Sequence, residues 1–217
     1  MADAREQMID AAERLAAERG LAAMSLREVQ AAAGQRNKSA AQYHFGSKEG
    51  LVEAVVATRM GAVGARRREL LDALDADPAR RDLVEALVVP LAEHVLAGPG
   101  PSHWARFLVQ AAHDPTFART VRLAFEGSSF RAVRDALRAG LDHVPEPLRD
   151  RRLDHAVGLV VTSLAALEAG DRPGGPRALP APAQIADLVD MALGVLDAPV
   201  SAATTAALAA RPTRRRA

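Results

Sequence analysis

The stretch from Gly34 to Lys48 concentrates side chains that could bind a polyanion. It contains the cations Arg36, Lys38 and Lys48 and no acidic residue. Cations of this kind displace counterions from phosphates, while short polar side chains can reach the edges of bases. A solvated surface has a similar composition, so composition alone does not choose between surface and interface. The short polar and hydrogen-bonding residues of the stretch are Gln35, Asn37, Ser39, Gln42, Tyr43 and His44.

The pattern around this stretch predicts a helix-turn-helix. Apolar residues with a helical period predict a first helix over roughly Asp3–Arg19, ended by Gly20. Ser25 and Glu28 have the spacing of a capping box, which predicts the start of a second helix. Gly34 interrupts that helix, and a short third helix over about 37–45 follows. Two short helices joined by a glycine-containing turn are the outline of a helix-turn-helix.

The chemistry and the spacing together favour DNA binding. A helix enters the major groove only if its outward face carries polar groups and few bulky apolar ones, and Ala40 and Ala41 meet that condition. The chain then breaks at Gly46-Ser47, and Ser47 is placed to cap a long helix from Lys48 to about Leu74.

Two segments, Ser25–Gly34 and Tyr43–Leu51, resemble the DNA-binding domain of the tetracycline-repressor (TetR) family of bacterial regulators. The resemblance implies a homodimer whose third helix enters the major groove, and a C-terminal domain that binds a small molecule. It also implies that Ser25 lies near a phosphate and that Tyr43, His44 and Lys48 contact the DNA backbone. Phe45 is expected to pack beneath the recognition helix.

The sequence departs from the family pattern at two places. The family has about one residue fewer between the turn glycine and the closing Phe, so residues 35–38 are predicted to form a longer turn. Gln42 stands where a Tyr is common. The candidates for base reading are Gln35, Arg36, Asn37, Lys38 and Ser39.

The rest of the chain predicts a separate helical body, which makes the fold class all-α. We predict a helix-turn-helix domain over 1–50, a ligand-binding and dimerisation domain over 51–198, and a disordered basic tail over 199–217. Pro90 interrupts an apolar stripe and should kink the helix or free a carbonyl near Ala86. Residues 116–141 are predicted to form one helix. Helices over about 150–169 and 183–198 carry small residues that allow a four-helix dimer interface. The alternative is that they only cover the core of their own chain, and the family resemblance favours the dimer.

Five of the seven aromatic residues fall within 104–130, in a chain that is only 3% aromatic. Such clustering could mark a pocket for an apolar or aromatic ligand. The alternative is that these large side chains fill the core of an Ala-rich body, and the sequence leaves both open. The candidate ligand-binding residues are His103, Trp104, Phe107, His113, Phe117 and Phe125.

Composition argues against several other classes of protein. The chain has no cysteine, and its 28 Lys+Arg nearly balance 27 Asp+Glu. We find no spacing typical of a metal site, no nucleophile motif and no phosphate-binding loop, so no enzyme, metal or cofactor is predicted. The N-terminus is charged from its third residue and no apolar stretch is long enough for a membrane span, so a cytoplasmic location is expected.

The sequence therefore predicts a transcriptional repressor that leaves a palindromic double-stranded DNA operator when a small molecule binds. The alternative is a helical homodimer that binds DNA or another partner without a small-molecule inducer.

Overall fold

The computed structural model describes residues 3–37, 39–96, 102–170 and 179–210, and every regular element within them is helical. The predicted all-α class is confirmed. No single helix of the described residues is long and apolar enough to cross a membrane, although α10 and α11 pass that test as a pair bent by 53°. The α-helices are α1 Ala4–Arg19, α2 Leu26–Ala32, α3 Ala40–Phe45, α4 Lys48–Asp72, α5 Arg80–Leu96, α6 Trp104–His113, α7 Ala118–Phe125, α8 Ser128–Ala139, α9 Glu146–Glu168, α10 Ala181–Asp197 and α11 Ala202–Ala209.

Local sequence signals fix the ends of the N-terminal helices. The Ser25 hydroxyl accepts from the Glu28 backbone N–H at 3.3 Å and donates to the Glu28 carboxylate at 2.7 Å, so the predicted capping pair is present. Ser47 caps α4 by accepting from the Gly50 N–H at 3.1 Å. Only glycine fits at position 50, because a Cβ atom there would lie 2.1 Å from the Phe45 carbonyl oxygen.

Pro90 lies inside α5 and leaves the Ala86 carbonyl without its helical donor. The side chain of Arg67 on α4 takes over that role, since its Nε donates to the Ala86 oxygen at 3.2 Å. Its Nη2 donates to the Leu87 oxygen at 3.5 Å. The prediction of a freed carbonyl near Ala86 is confirmed, and its partner is a buried arginine.

The prediction of one helix over 116–141 is wrong. The structure has α7 and α8 instead, separated by Glu126 and Gly127. Gly127 has an extended backbone with φ −55° and ψ 153°, and it is the N-cap of α8. Glycine has a low helix propensity, so the chain can turn there at little cost.

The predicted disordered tail also needs a correction. Residues 202–209 form α11, started by Ser201, whose hydroxyl accepts from the Thr204 N–H at 3.2 Å. Alanine has the highest helix propensity, which explains why this Ala-rich segment is helical although none of its residues is buried. The arginine-rich stretch 211–217 lies outside the described residues.

Helix α6 joins the N-terminal helices to the body. At its start, the Glu168 carboxylate of α9 accepts from the backbone N–H groups of Ala105 at 2.9 Å and Arg106 at 2.8 Å. Further along, the Gln110 amide donates to the Ala16 carbonyl at 2.8 Å and accepts from the Leu21 N–H at 2.7 Å. The side chain of Gln110 thus completes the backbone hydrogen bonding where α1 ends.

Helices α1 and α4 are held together by one arginine and three carboxylates. Arg59 on α4 pairs with Glu6 at 2.9 Å and also with Asp10 and Glu13, all on α1. Glu13 is buried, and desolvation raises its pKa to about 7 in spite of the neighbouring guanidinium. Its charged form is therefore disfavoured by folding.

We predict that Glu13 makes the protein less stable as the pH rises from about 4.5 to about 7. In this window the folded state binds more protons than the unfolded state, so the free energy of unfolding falls with pH. Glu13→Gln should remove up to about 3 kcal/mol of that decline. The measurement is urea unfolding at several pH values. Glu18→Gln, at an exposed position of the same helix, should retain the wild-type pH profile, and equal slopes in both variants would contradict the assignment.

Candidate nucleic-acid interface and ligand cavity

Helix α3 presents two adjacent rings to solvent at its C-terminal end. Tyr43 is 84% exposed, and its ring meets that of His44 edge-on, with centroids 5.3 Å apart. Phe45 is buried beneath the same helix, and the Arg5 guanidinium lies 5.9 Å from its ring centroid. The exposed pair can therefore meet a DNA backbone while Phe45 anchors the helix.

Helix α3 begins later in the sequence than predicted, so the turn before it is longer than the predicted helix bounds imply. The helix starts at Ala40 rather than at about Asn37, because the Asn37 side chain accepts from the Ser39 N–H at 3.0 Å and holds a local turn. Arg36 is exposed, and the described residues offer it no hydrogen bond or ion pair. Lys38 lies outside the described residues.

Several of the predicted DNA-binding side chains are engaged within the protein. The Gln35 amide donates to Gln7 at 2.8 Å, and Gln42 donates to the Gly46 carbonyl at the end of α3. Lys48 donates to the Ala22 carbonyl at 3.2 Å, and the Ser25 hydroxyl is bound to Glu28. Of the described predicted set, Arg36, Ser39, Tyr43 and His44 are the exposed side chains for which no hydrogen bond is found.

A cavity of about 1020 Å³ opens between α6, α7, α8 and α9. Its apolar walls include Leu108, Val121, Phe125, Phe130 and Val161. This volume is at the upper end of the range of small-molecule sites, and a mostly apolar wall with a few charged groups is typical of them. The charged wall residues are Arg119, Arg122, Glu126, Arg131, Arg134, Asp135 and Asp154.

The structure divides the predicted ligand residues between this cavity and the core. His113 and Phe125 line the cavity. Trp104 and Phe107 are buried and stacked on each other with centroids 5.8 Å apart, and Phe117 is buried as well. None of these three, nor His103, lines the cavity. Part of the aromatic cluster therefore lines a cavity, as the pocket alternative predicted, and the rest fills the core, as the other alternative predicted.

Sequence reasoning missed the arginines of the wall and Phe130. The sequence pattern places them on one continuous helix, whereas the break at Gly127 turns α8 so that Phe130, Arg131 and Arg134 line the same cavity as Arg119. The signal that could have found them is the Gly127-Ser128-Ser129 run, which is unfavourable inside a helix.

In the described residues we find no group of three or more His, Asp or Glu side chains that could hold a metal ion. What the structure brings together is a helix-turn-helix with an exposed α3 and a helical body with a cavity. These features define the class of DNA-binding transcriptional regulators.

Comparison with known proteins identifies the family. Residues 8–55 match the model of the bacterial regulatory proteins of the tetR family, and residues 85–194 match the tetracyclin repressor-like C-terminal domain. The chain belongs to the TetR family. No curated protein matches its sequence.

Solved structures share the fold along nearly the whole chain. AmtR of Mycobacterium smegmatis is 23% identical with a TM-score of 0.59, over 98% of this chain and 97% of that one. A putative tetR family regulator from Shewanella sp. PV-4 has 17% identity and a TM-score of 0.62, over 90% and 96%. The ketosteroid regulator KstR2 of Mycobacterium tuberculosis has 21% identity and a TM-score of 0.57, over 89% and 95%.

We predict that Arg36→Ala weakens DNA binding by about 1 kcal/mol or more, which is roughly fivefold in Kd, because a phosphate or base contact is lost. Gel-shift titration at fixed salt measures this effect. Arg68→Ala removes an exposed arginine from α4, far along the helix from α3, and should leave the affinity unchanged. Equal affinities of wild type and Arg36→Ala would remove this residue from the interface.

Proposed function

We propose that this regulator is a homodimeric repressor that a small molecule releases from a palindromic operator. The observation that carries the proposal is the double role of α6. One face of this helix supplies Leu108, Val109 and Ala112 to the cavity wall, while Gln110 holds the end of α1. A ligand that displaces α6 therefore acts on the DNA-binding helices.

Helix α4 provides a second route between the cavity and the head. It begins directly after α3, at Lys48, and runs for 25 residues into the body. A small tilt of so long a helix changes the position of α3 and, in a dimer, the separation of the two recognition helices. The coupling is reciprocal, so operator DNA should weaken ligand binding by the factor by which ligand weakens DNA binding.

Helices α9 and α10 are proposed as the dimer interface. Leu167 on α9 and Met191 on α10 are large apolar side chains that are 38% and 37% exposed. A Cβ atom at Gly194 would have no neighbour within 4 Å, so the fold of one protomer does not require glycine there. Small residues at exposed helix positions allow a second copy to approach closely.

The alternative is a homodimer that binds DNA without an inducer. Ligand screening by thermal shift separates the two, because an inducer raises the melting temperature and lowers operator affinity together. If no compound both raises the melting temperature and lowers operator affinity, the result favours the homodimer without an inducer.

We predict that DNA fragments retained by the purified protein contain two inverted half-sites about one helical turn, or a multiple of it, apart.

Met191→Glu should dissociate the dimer, because it places a charge in an apolar interface, and should reduce operator affinity strongly. Sedimentation analysis and gel shift measure the two effects. Leu123→Glu, at an exposed position of α7, is the control and should stay dimeric. A wild-type protein that is monomeric, or that ignores duplex DNA at low salt, would refute the proposal.

A further inference from the structure

Arg67 is a buried cation without a counter-charge. It lies on α4 with 2% of its surface exposed, and no carboxylate of the described residues forms an ion pair with it. Burial lowers its pKa to about 10, so the side chain is still charged at neutral pH. An unpaired buried charge is costly, because neutral neighbours replace only part of the solvation that the charge loses.

The guanidinium also has donors to spare. Nε and Nη2 donate to the carbonyls of Ala86 and Leu87, and within the described residues Nη1 donates to none. Arginine carries five N–H donors, whose geometry matches a carboxylate. Arg67 could therefore bind an anion and keep its bonds to the α5 carbonyls.

Phe130 connects Arg67 to the cavity. The Arg67 Cζ atom lies 5.5 Å from the centroid of the Phe130 ring, and Phe130 is part of the cavity wall. The start of α8 is close to α4 here, since a Cβ atom at Gly64 would lie 3.5 Å from the Ser129 hydroxyl. Arg67 itself does not line the cavity, so an anion in the cavity reaches the cation only if the Phe130 ring moves.

The wall of the cavity favours an anion with an apolar body. Arg122 and Arg134 are paired with Glu126 and Asp154, at 3.6 and 2.7 Å. Arg119 and Arg131 form no ion pair with the described residues, and on the acidic side only Asp135 of the wall is likewise unpaired. With Arg67 behind Phe130, the unpaired charges of the region sum to a positive excess.

We propose that the cavity takes an amphipathic carboxylate, with its apolar part against Leu108, Val121 and Val161 and its carboxylate on Arg67 after Phe130 turns aside. This inference rests on the proposed ligand-controlled function and names the chemical class of the ligand. Because Arg67 belongs to α4, the charge pair forms on the helix that carries the DNA-binding head.

The test uses decanoate and 2-naphthoate as probes, each beside its neutral alcohol, with the full-length protein. Calorimetry and thermal shift should show that the carboxylates bind about tenfold or more tightly than the alcohols, as expected for a charge-assisted hydrogen bond. Equal binding of acid and alcohol, or no binding of either carboxylate, would overturn the inference.

Three variants test which cationic side chain binds the carboxylate. Arg67→Gln retains a donor for the Ala86 carbonyl but lacks the charge, so it should lose the preference for the acid, and Arg67→Lys should retain part of it. Arg68→Gln, at an exposed position of the same helix and outside the cavity wall, is the control and should bind like the wild type. If Arg67→Gln retains the preference for the acid, the assignment to Arg67 is wrong. Melting curves without ligand identify a variant that fails to fold, and Phe130→Leu then replaces it, with faster carboxylate association expected.

Operator binding without ligand is measured on the same samples. A protein that binds its operator but shows no preference for carboxylates fails this inference alone. A protein that binds no duplex fails the proposed function, whatever the probes do.

Discussion

Helix α6 is held at both ends by single side chains, and the relation between head and body depends on these two anchors. The Glu168 carboxylate satisfies two N–H groups that the start of a helix leaves without partners. It also places negative charge at the positive end of the helix dipole. Gln110 satisfies a carbonyl and an N–H where α1 ends. Because buried backbone groups without partners are costly, α6 cannot move without forcing α1 or α9 to adjust.

The two anchors connect surfaces with different functions. Glu168 belongs to α9, which is proposed to meet a second copy, and Gln110 contacts the helices that position α3. Between them, α6 supplies part of the cavity wall. The proposed dimer interface, the cavity and the DNA-binding head are thus linked through one ten-residue helix. Arg67 on α4 is proposed to add an independent link, because it contacts both the proline-containing helix α5 and Phe130 of the cavity wall.

Much of the head could be predicted from the sequence, because its signals are local. The Ser25–Glu28 pair and the Ser47 cap act within four residues, so spacing alone reveals them. The position of the cavity could not be predicted in this way. It depends on the break at Gly127 and on which face of α8 turns inward, and both are decided by tertiary packing. The engagement of Gln35 by Gln7 is likewise a contact between distant parts of the chain. The aromatic cluster could be recognised from the sequence, but the roles of its members could not. Only tertiary packing separates Phe125 at the cavity from Trp104 in the core.

The missing side chain at position 50 has a mechanical consequence. With the Phe45 carbonyl 2.1 Å from where a Cβ would be, α3 and α4 meet with room for a hydrogen atom only. The corner between the two helices is therefore closely packed, and any larger side chain at position 50 would force α3 and α4 apart. If α4 tilts as proposed, this direct backbone contact makes α3 move with it.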